Sequence, residues 1–408
     1  MPGIEKRRWT PREGAFGGRA SRRSFDYAAF VPDRIAQLDL ALPGDVVAAV
    51  TDAEVAVREL NATSPRLGAL ETLARRLLRA EAVASSRIEG LEMSHRRLER
   101  AAFAPEDADR QAKLVMGNVR AMEAAIALGA ARRPLTSSVI LALHRELFAG
   151  TELERIGGRF RDRQNWIGES DESPRNAQFI PPNELRVPDL ITDLCEFAGR
   201  DDVPAIAQAA IVHSQFETIH PFADGNGRIG RCLIHVVLRQ RDIAPTYVPP
   251  ISLVLATDQK AYVRGLNVFR EYTADAIAAW IGVFAQATRT AGREAVSFAD
   301  GIAQLQSRWR ERAGIERSGT TPEKIISILP GRPVLDIKAA AELTGVVYES
   351  ARTAMERLER AGVVREIGSR RRDRVFEAPD LFELVNGFER RLATPAGERR
   401  SVRRVPAR

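Results

Sequence analysis

Twelve consecutive residues, HPFADGNGRIGR from His220 to Arg231, constrain this chain of 408 residues more than any other stretch. The run combines one histidine, one aspartate, three glycines and two arginines, a mixture that a packed core does not require. Glycine, asparagine and aspartate favour loops over helices. Apolar periodicity resumes at Ile229, so we expect a helix that begins near Gly227. The sequence therefore predicts a polar loop that leads directly into a helix.

This loop has the properties of an anion-binding site. Gly225, Asn226 and Gly227 allow a tight turn and a close approach of the backbone to a ligand. The helix that follows presents free N–H groups and the positive end of its dipole. Arg228 and Arg231 are three residues apart, so they share one helical face and add charge in a geometry that suits phosphate oxygens. A polyphosphate is the ligand that this chemistry favours.

Two further residues of the run have catalytic potential. Asp224 could hold a Mg²⁺ ion that phosphates also coordinate. His220 can accept a proton near neutral pH. Phe222 is apolar within a polar loop, and we expect it to anchor the loop in the core.

The run is similar to the signature of the Fic family, H-P-F-x-[D/E]-G-N-G-R-x-x-R, and fills every defined position. The resemblance implies a mainly α fold: a helical Fic core with a small β-hairpin flap over the active site. It also implies that His220 is the catalytic base, that Asp224 holds the metal, and that the nucleotide is bound by Gly225, Asn226, Gly227, Arg228 and Arg231.

A second string, from Ser85 to Gly90, resembles the inhibitory motif of this family, [S/T]-x-x-x-E-[G/N]. The resemblance implies that Ser85 and Glu89 lie on an inhibitory helix and that Glu89 pairs with Arg231. That pair would occupy the arginine needed for the terminal phosphate of a nucleotide. Without the first motif, Glu89 would be interpreted as a solvent-facing glutamate before a glycine cap.

Two more regions resemble family features. Residues 157–168, followed by residues 179–182, are similar to the flap, which binds a target chain by strand addition. Tyr262 resembles a position near the nucleotide base, and Asn267 is a weaker candidate for the same surroundings. A tyrosine on an amphipathic helix is also typical of core packing.

Periodicity and breaks divide the chain into five parts. We expect a basic, mostly irregular segment over residues 1–30 and an N-terminal helical region with the inhibitory helix over 31–112, in which Ile35, Leu38 and Leu40 belong to a helical pattern. The catalytic core is predicted over 113–295. A winged helix-turn-helix domain is predicted over 318–390, and a basic tail over 391–408.

The winged-helix prediction is based on three helices and two strands. The helices are expected at 323–329, 337–344 and 348–361, and the strands at 363–367 and 374–377. The third helix would be the recognition helix, and the turn between the strands carries Arg370, Arg371 and Arg372. The same helix also carries Glu349, Glu356 and Glu359, which repel phosphates, so binding of DNA and contact with a protein both stay open.

Composition limits the class of protein. The net charge of +7 and the isoelectric point of about 9.8 permit an acidic partner such as DNA. Cys195 and Cys232 lie in apolar helical contexts, as reduced cysteines do. No stretch approaches the roughly 20 apolar residues of a membrane span, and the first residues lack the apolar part of a secretory signal. We therefore expect a cytoplasmic protein with no membrane contact, for which a homo-oligomer remains open.

The resemblance implies a protein adenylyltransferase that moves AMP from ATP to a hydroxyl group of a target protein. Mg²⁺ is the expected metal, with Mn²⁺ as the alternative, and Glu89 is the expected inhibitor. Gly227 favours adenylyl transfer, because family members that transfer phosphate carry lysine at this position. Two alternatives stay open: a DNA-binding regulator whose Fic core senses a nucleotide, and an enzyme that removes AMP from a modified target.

Overall fold

The structure, a computed structural model, describes residues 2–10, 23–62, 70–168, 173–368 and 374–393. It is mainly helical, as predicted. The helices are α1 (Gly44–Ala62), α2 (Leu70–Ile88), α3 (His95–Phe103), α4 (Arg110–Ala130), α5 (Ser137–Phe148), α6 (Val187–Ala198), α7 (Ala205–Ile219), α8 (Asn226–Gln240), α9 (Ile251–Thr257), α10 (Gln259–Phe269), α11 (Ala274–Arg312), α12 (Thr321–Ile328), α13 (Ile337–Thr344), α14 (Tyr348–Arg360) and α15 (Pro379–Ala393). The strands are β1 (Gly3–Trp9), β2 (Phe25–Val31), β3 (Val334–Asp336), β4 (Arg365–Ile367) and β5 (Val375–Glu377).

Helix α7 lies at the centre of the core. Each of its residues from Ala205 to Ile219 is buried, and its sequence is apolar around most of the helix. A helix of this kind must be covered on all sides, and α6, α8, α10 and α11 pack around it. The indole N–H of Trp280 on α11 donates to the Ala210 carbonyl at 2.9 Å. The loop after α7 is therefore held by a rigid, buried helix.

The long helix α11 connects the core to the C-terminal module. It packs on α1, α7 and α10 near its start and on α12 and α15 further along. Its buried side chains continue from Ala276 to Trp309. Residue 295, the predicted end of the core, lies within this helix.

The N-terminal residues contradict the expectation of an irregular segment. Strands β1 and β2 form an antiparallel pair in register from Gly3 opposite Val31 to Trp9 opposite Phe25. Trp9 packs edge-on against Trp166, with ring centroids 5.3 Å apart. Several consecutive charged residues in β1 hide its period-2 pattern, which explains the error. Arg12, Arg19 and Arg22, which contribute to the basic character of this segment, lie outside the described residues.

One other local prediction is wrong. Ile35 and Leu38 lie in a turn rather than a helix, because the backbone N–H groups of Ile35 and Ala36 donate to the Asp193 carboxylate at 2.7 and 3.2 Å. Of the predicted flap, the described residues form one antiparallel bridge, between Ile167 and Phe179. The backbone N–H of Phe30 in β2 donates to the Ile180 carbonyl at 2.9 Å, so the N-terminal hairpin supports the flap.

The C-terminal module contains helices α12 to α14 near their predicted positions. Its sheet has the antiparallel order β3-β5-β4, of which the sequence predicted β4 and β5 but missed β3. Helix α15 extends beyond residue 390, where the sequence predicted a basic tail. The three wing arginines and the tail from residue 394 lie outside the described residues.

Ion pairs connect this module to helices α2 and α3. Glu389 on α15 accepts from Arg87 at 3.1 Å and lies 2.8 Å from Nε2 of His95. Glu377, whose side chain is fully buried, pairs with Arg100 at 2.8 Å and with Arg365 at 2.5 Å. The end of α2 that leads to Glu89 is therefore in direct contact with the C-terminal module. None of the described helices combines the length and apolar character that a bilayer span requires.

Candidate active site

The catalytic loop begins where His220 ends α7 in a left-handed conformation, with φ 51° and ψ 59°. Such a conformation is unfavourable for a residue other than glycine and is typical of functional sites. Nδ1 of His220 lies 3.3 Å from the Glu217 carbonyl, which can only accept a hydrogen bond, so Nδ1 carries the proton and Nε2 has the free lone pair. Burial lowers the pKa of His220 to about 4, although the bond to Glu217 opposes the shift. The imidazole is therefore neutral at physiological pH and able to accept a proton.

Asn226 holds the loop closed. Its Oδ1 accepts from the Phe222 N–H and its Nδ2 donates to the Phe222 carbonyl, both at 2.8 Å. Phe222 itself is fully buried and stacks on the His144 ring at 3.6 Å between centroids, as expected of a core anchor. The side chain of Asn226 is thus engaged within the protein, so a nucleotide contact by Asn226, which stays a prediction, would use its backbone.

His144 on α5 also binds the backbone of this loop. Its Nε2 donates to the Asp224 carbonyl at 3.0 Å, and its Nδ1 accepts from the Gly158 N–H at 3.0 Å. Burial, with a smaller contribution from Arg228, lowers its pKa to about 4. A neutral imidazole is the form that makes both bonds. Sequence spacing gives no sign of the contact between His144 and Asp224, because it joins residues 80 positions apart.

The first turn of α8 has space for an anion, and Glu89 occupies it. Gly225 precedes the helix with φ +82°, where a Cβ would lie 2.7 Å from Cδ2 of Leu147. A Cβ on Gly227 would lie 2.0 Å from Oε1 of Glu89. The carboxylate therefore lies against the helix N-terminus, which favours negative charge.

Arg231 binds both residues of the second motif. Its Nε donates to Oγ of Ser85 at 2.9 Å, and its Nη2 donates to the Ser85 carbonyl at 2.9 Å and to Oε1 of Glu89 at 2.6 Å. Burial opposes ionisation of Glu89, but the Arg231 guanidinium outweighs it and keeps the pKa of this carboxyl below its ordinary value. The predicted contact between Glu89 and Arg231 is therefore present as an ion pair.

Arg228 contacts Asp224 in the loop and the ring of Phe148 on α5. Its Nη2 donates to Oδ1 of Asp224 at 3.1 Å, and its guanidinium lies 5.2 Å from the centre of the Phe148 ring. Its Nε and Nη1 are buried without a hydrogen-bond partner among the described residues. A buried guanidinium with unused donors is prepared to bind an anion.

A cavity of about 520 Å³ opens beside these groups. Its wall includes Glu89, Asp224 and Arg228, together with residues at the start of α4. This volume is within the usual range of small-molecule sites, roughly 300–1,000 Å³. The candidate inhibitor, the candidate metal ligand and one candidate phosphate ligand thus share one cavity.

The residues around Asp224 fit a magnesium ion that also uses phosphates. The Asp224 side chain is about half exposed, and its Oδ1 accepts from Gly225 N–H at 2.5 Å. The described residues contain no group of three or more acidic, histidine or cysteine side chains that could bind a metal alone. Mg²⁺ commonly uses one or two carboxylates, several waters and substrate phosphates, so the single carboxylate is sufficient.

Tyr262 and Glu217 lie in the core beneath the site. The hydroxyl of Tyr262 is 2.8 Å from Nε2 of His213, and burial raises its pKa. A role of Tyr262 near the base stays a prediction. Glu217 was missed: its buried carboxylate lies beside Gly230, and burial raises its pKa to about 7. It is the one acidic residue of α7, which could have drawn attention to it.

Comparisons with known proteins agree with these features. Residues 134–238 match the Fic/DOC family model, and residues 47–127 match the Fic/DOC family N-terminal model. A probable protein adenylyltransferase of Aquifex aeolicus is 40% identical over 63 residues, which are 15% of this chain and 20% of the relative. A protein adenylyltransferase, fic-1, of Caenorhabditis elegans is 26% identical over 113 residues, 27% of this chain and 20% of that protein. The chain thus spans about a fifth of the length of these curated relatives.

The fold has a counterpart among solved structures. A Fic family protein from Desulfovibrio desulfuricans G20 aligns over 84% of this chain and 98% of its own, with a TM-score of 0.52 and 22% identity. The two family models cover the motif of Ser85 and Glu89 and the motif of residues 220–231, which the structure brings into contact. On these grounds the chain contains a Fic domain and the N-terminal region of the Fic/DOC family.

Proposed function

We propose that this protein is an adenylyltransferase, which moves AMP from ATP to a hydroxyl side chain of a target protein. The observation that carries the proposal is the neutral His220, with its free Nε2, in the loop that leads into the anion-binding turn of α8. The names of the relatives support ATP as the nucleotide and a protein as the acceptor.

The chain's own residues suit an in-line transfer. His220 Nε2 takes the proton of the target hydroxyl, whose oxygen forms a bond to the α-phosphorus while the bond to pyrophosphate breaks. The N–H groups at the start of α8 stabilise the charge that develops on the phosphate oxygens. Arg228 and Arg231 orient the outer phosphates. Asp224 would hold Mg²⁺, which supplies positive charge next to the phosphates when bound.

The same arrangement supports inhibition by Glu89. Its carboxylate is bonded to Arg231 at 2.6 Å and fills the space over Gly227, so the terminal phosphate of ATP would compete with it for both. Ser85 adds two bonds to Arg231 and keeps the guanidinium turned towards α2. We infer that ATP binds productively only when Glu89 has moved away.

The alternatives have less support. On α14, Arg352 is bonded to Glu349 at 2.9 Å and to Glu356 at 2.7 Å, so the charge of the proposed recognition helix is neutralised within the helix. This weakens the case for DNA as the main ligand. Removal of AMP from a modified target would use the same loop and is tested by offering a modified protein to the enzyme.

The test compares two labelled nucleotides. Glu89→Gly protein is incubated with Mg²⁺ and ATP labelled on the α-phosphate or on the γ-phosphate, and protein-bound label is counted. Adenylyl transfer gives label from the α-position only, and His220→Ala in the same background abolishes it. Label from the γ-position would indicate phosphoryl transfer, and no label from either would refute the proposal. Repeating the assay with Mn²⁺ decides the metal preference.

A further inference from the structure

A buried arginine joins the flap to the catalytic loop. Arg161 is 6% exposed and lies within the flap region. Its Nε donates to the His220 carbonyl at 2.9 Å, its Nη1 to the Arg163 carbonyl at 3.1 Å and its Nη2 to the Pro182 carbonyl at 2.5 Å. Its backbone N–H donates to the Pro221 carbonyl at 2.9 Å. One flap residue therefore binds two consecutive carbonyls of the catalytic loop and, within the flap, the carbonyls of Arg163 and Pro182.

The surroundings of Arg161 are unusual for a buried charge. Arginine is rarely buried unless it is paired; the hydrogen bonds of this guanidinium, among the described residues, all go to backbone carbonyls. The planar fork of arginine fixes the directions of its donors, so it can hold three carbonyls in one relative geometry. Lysine carries the same charge but cannot reproduce that geometry.

A neighbouring side chain has the same target. Nδ2 of Asn165 donates to the Phe222 carbonyl at 3.0 Å and lies 3.4 Å from the His220 carbonyl. Together Arg161 and Asn165 bind the carbonyls of residues 220, 221 and 222. These are the residues in which the chain leaves α7 through the strained conformation of His220.

We propose that Arg161 is a positioning residue, which holds His220 in its catalytic orientation and keeps the flap at a fixed distance from His220. The inference rests on the proposed function for its kinetic part only. A target strand on the flap and the base below it would then share one rigid support, as an in-line attack requires. A misplacement of about 1 Å in such a site costs about 100-fold in rate.

The charge of Arg161 has a second effect on His220. Burial is the main cause of the low His220 pKa, and the Arg161 guanidinium lowers it further. Arg270 on α10 acts in the same direction, while Glu89 on α2 and the Glu217 carbonyl on α7 oppose it. Arg161 therefore helps to keep the base unprotonated.

The test separates geometry from charge. Arg161→Lys keeps the charge and loses the fork, Arg161→Met loses both, and Arg58→Met is the control, because Arg58 is an exposed arginine on α1, outside the flap and the catalytic loop. The His220 ring is titrated by NMR in the three variants, which requires no activity. Automodification by ATP is measured in the same variants on the Glu89→Gly background.

We expect kcat to fall about 100-fold in Arg161→Lys, with KM for ATP changed less than threefold and the His220 pKa still near 4. In Arg161→Met the pKa should also rise towards its ordinary value of 6.5. Arg58→Met should match its parent in both measurements.

Three results would overturn the inference: an unchanged kcat in Arg161→Lys, a loss confined to KM, or the same His220 titration in Arg161→Met as in the parent. If Glu89→Gly itself transfers no AMP, the proposed function fails, and the titration still decides whether Arg161 acts on His220. If Arg161→Met does not fold, the kinetics and titration of Arg161→Lys decide.

Discussion

The contact between Glu89 and Arg231 makes a graded prediction about ATP binding. Glu89→Gly removes the carboxylate and frees both Arg231 and the space over Gly227. Glu89→Gln keeps the size and one oxygen acceptor but removes the charge. We therefore expect ATP to bind most tightly to Glu89→Gly, less tightly to Glu89→Gln and weakest to the parent.

The geometry sets the size of the effect. A hydrogen bond to a charged group contributes about 1.5–3 kcal/mol, and a neutral one about 0.5–1.5 kcal/mol. The Glu89 side chain is 32% exposed, so solvent screening places the ion pair near the lower end, about 1.5–2 kcal/mol. Since about 1.4 kcal/mol corresponds to a factor of ten, Kd for ATP should fall roughly 10- to 30-fold in Glu89→Gly. In Glu89→Gln it should fall severalfold, because the attraction between opposite charges is lost while a hydrogen bond from Arg231 to the amide oxygen can remain.

Isothermal titration calorimetry with a non-transferable ATP analogue and Mg²⁺ measures this series. Glu92→Gly is the matched control, because Glu92 is an exposed glutamate three residues further on. Equal affinity in the parent and both Glu89 variants would refute the inhibitory role of the pair. An equal gain in Glu92→Gly would show that the effect comes from net charge and not from the contact.

Three further predictions concern the glycine before α8, the ion pairs of the C-terminal module and the pH dependence of stability. Gly225→Ala should lower the free energy of unfolding in urea by about 1–3 kcal/mol, because alanine is strained at φ +82° and its Cβ would meet a leucine methyl group at 2.7 Å; an unchanged midpoint would contradict the geometry. Glu389→Gln should raise the initial rate of automodification about two- to fivefold, because it weakens the ion pairs that hold the end of α2, next to Glu89. A rate equal to the parent's would show that the C-terminal module does not contribute to inhibition by Glu89. The free energy of unfolding should fall as the pH drops from about 6.5 to 4, because His144 and His220 have a pKa of about 4 in the folded protein and so take up protons first in the unfolded chain. Glu217 acts with the opposite sign, because its folded pKa is raised to about 7. Glu217→Gln should therefore make the free energy of unfolding depend more steeply on pH in this range.

Local chemistry explains which parts of the site could be predicted. Gly225, Gly227 and the two arginines are required by the backbone and by phosphate geometry, so their types and spacing alone indicate an anion site. The contact of Glu89 with Arg231 joins residues 142 positions apart, and it was predictable only through the resemblance of the second motif. Asp224 was selected because its carboxylate could hold a metal ion, and it lies in the wall of the cavity.

Tertiary contacts explain what could not be predicted. Arg161 and His144 bind backbone carbonyls of the catalytic loop. Every residue has a carbonyl, so the residue types in the loop do not indicate such a contact. The nucleotide contact of Asn226 stays a prediction, and its motif gave no sign that its side chain closes the loop. Strand β1 was missed because its charged residues satisfy a period of two only when a partner strand is known. The winged-helix and DNA-binding assignments stay predictions.

We expect this protein to transfer AMP once Glu89 is removed, with His220 as the base. The most direct test is the intact mass of Glu89→Gly protein after incubation with ATP and Mg²⁺, beside the same protein with His220→Ala. We predict a gain of whole adenylyl groups in the first protein and no gain in the second. An unchanged mass in Glu89→Gly, or an equal gain in the protein that lacks His220, would contradict the account.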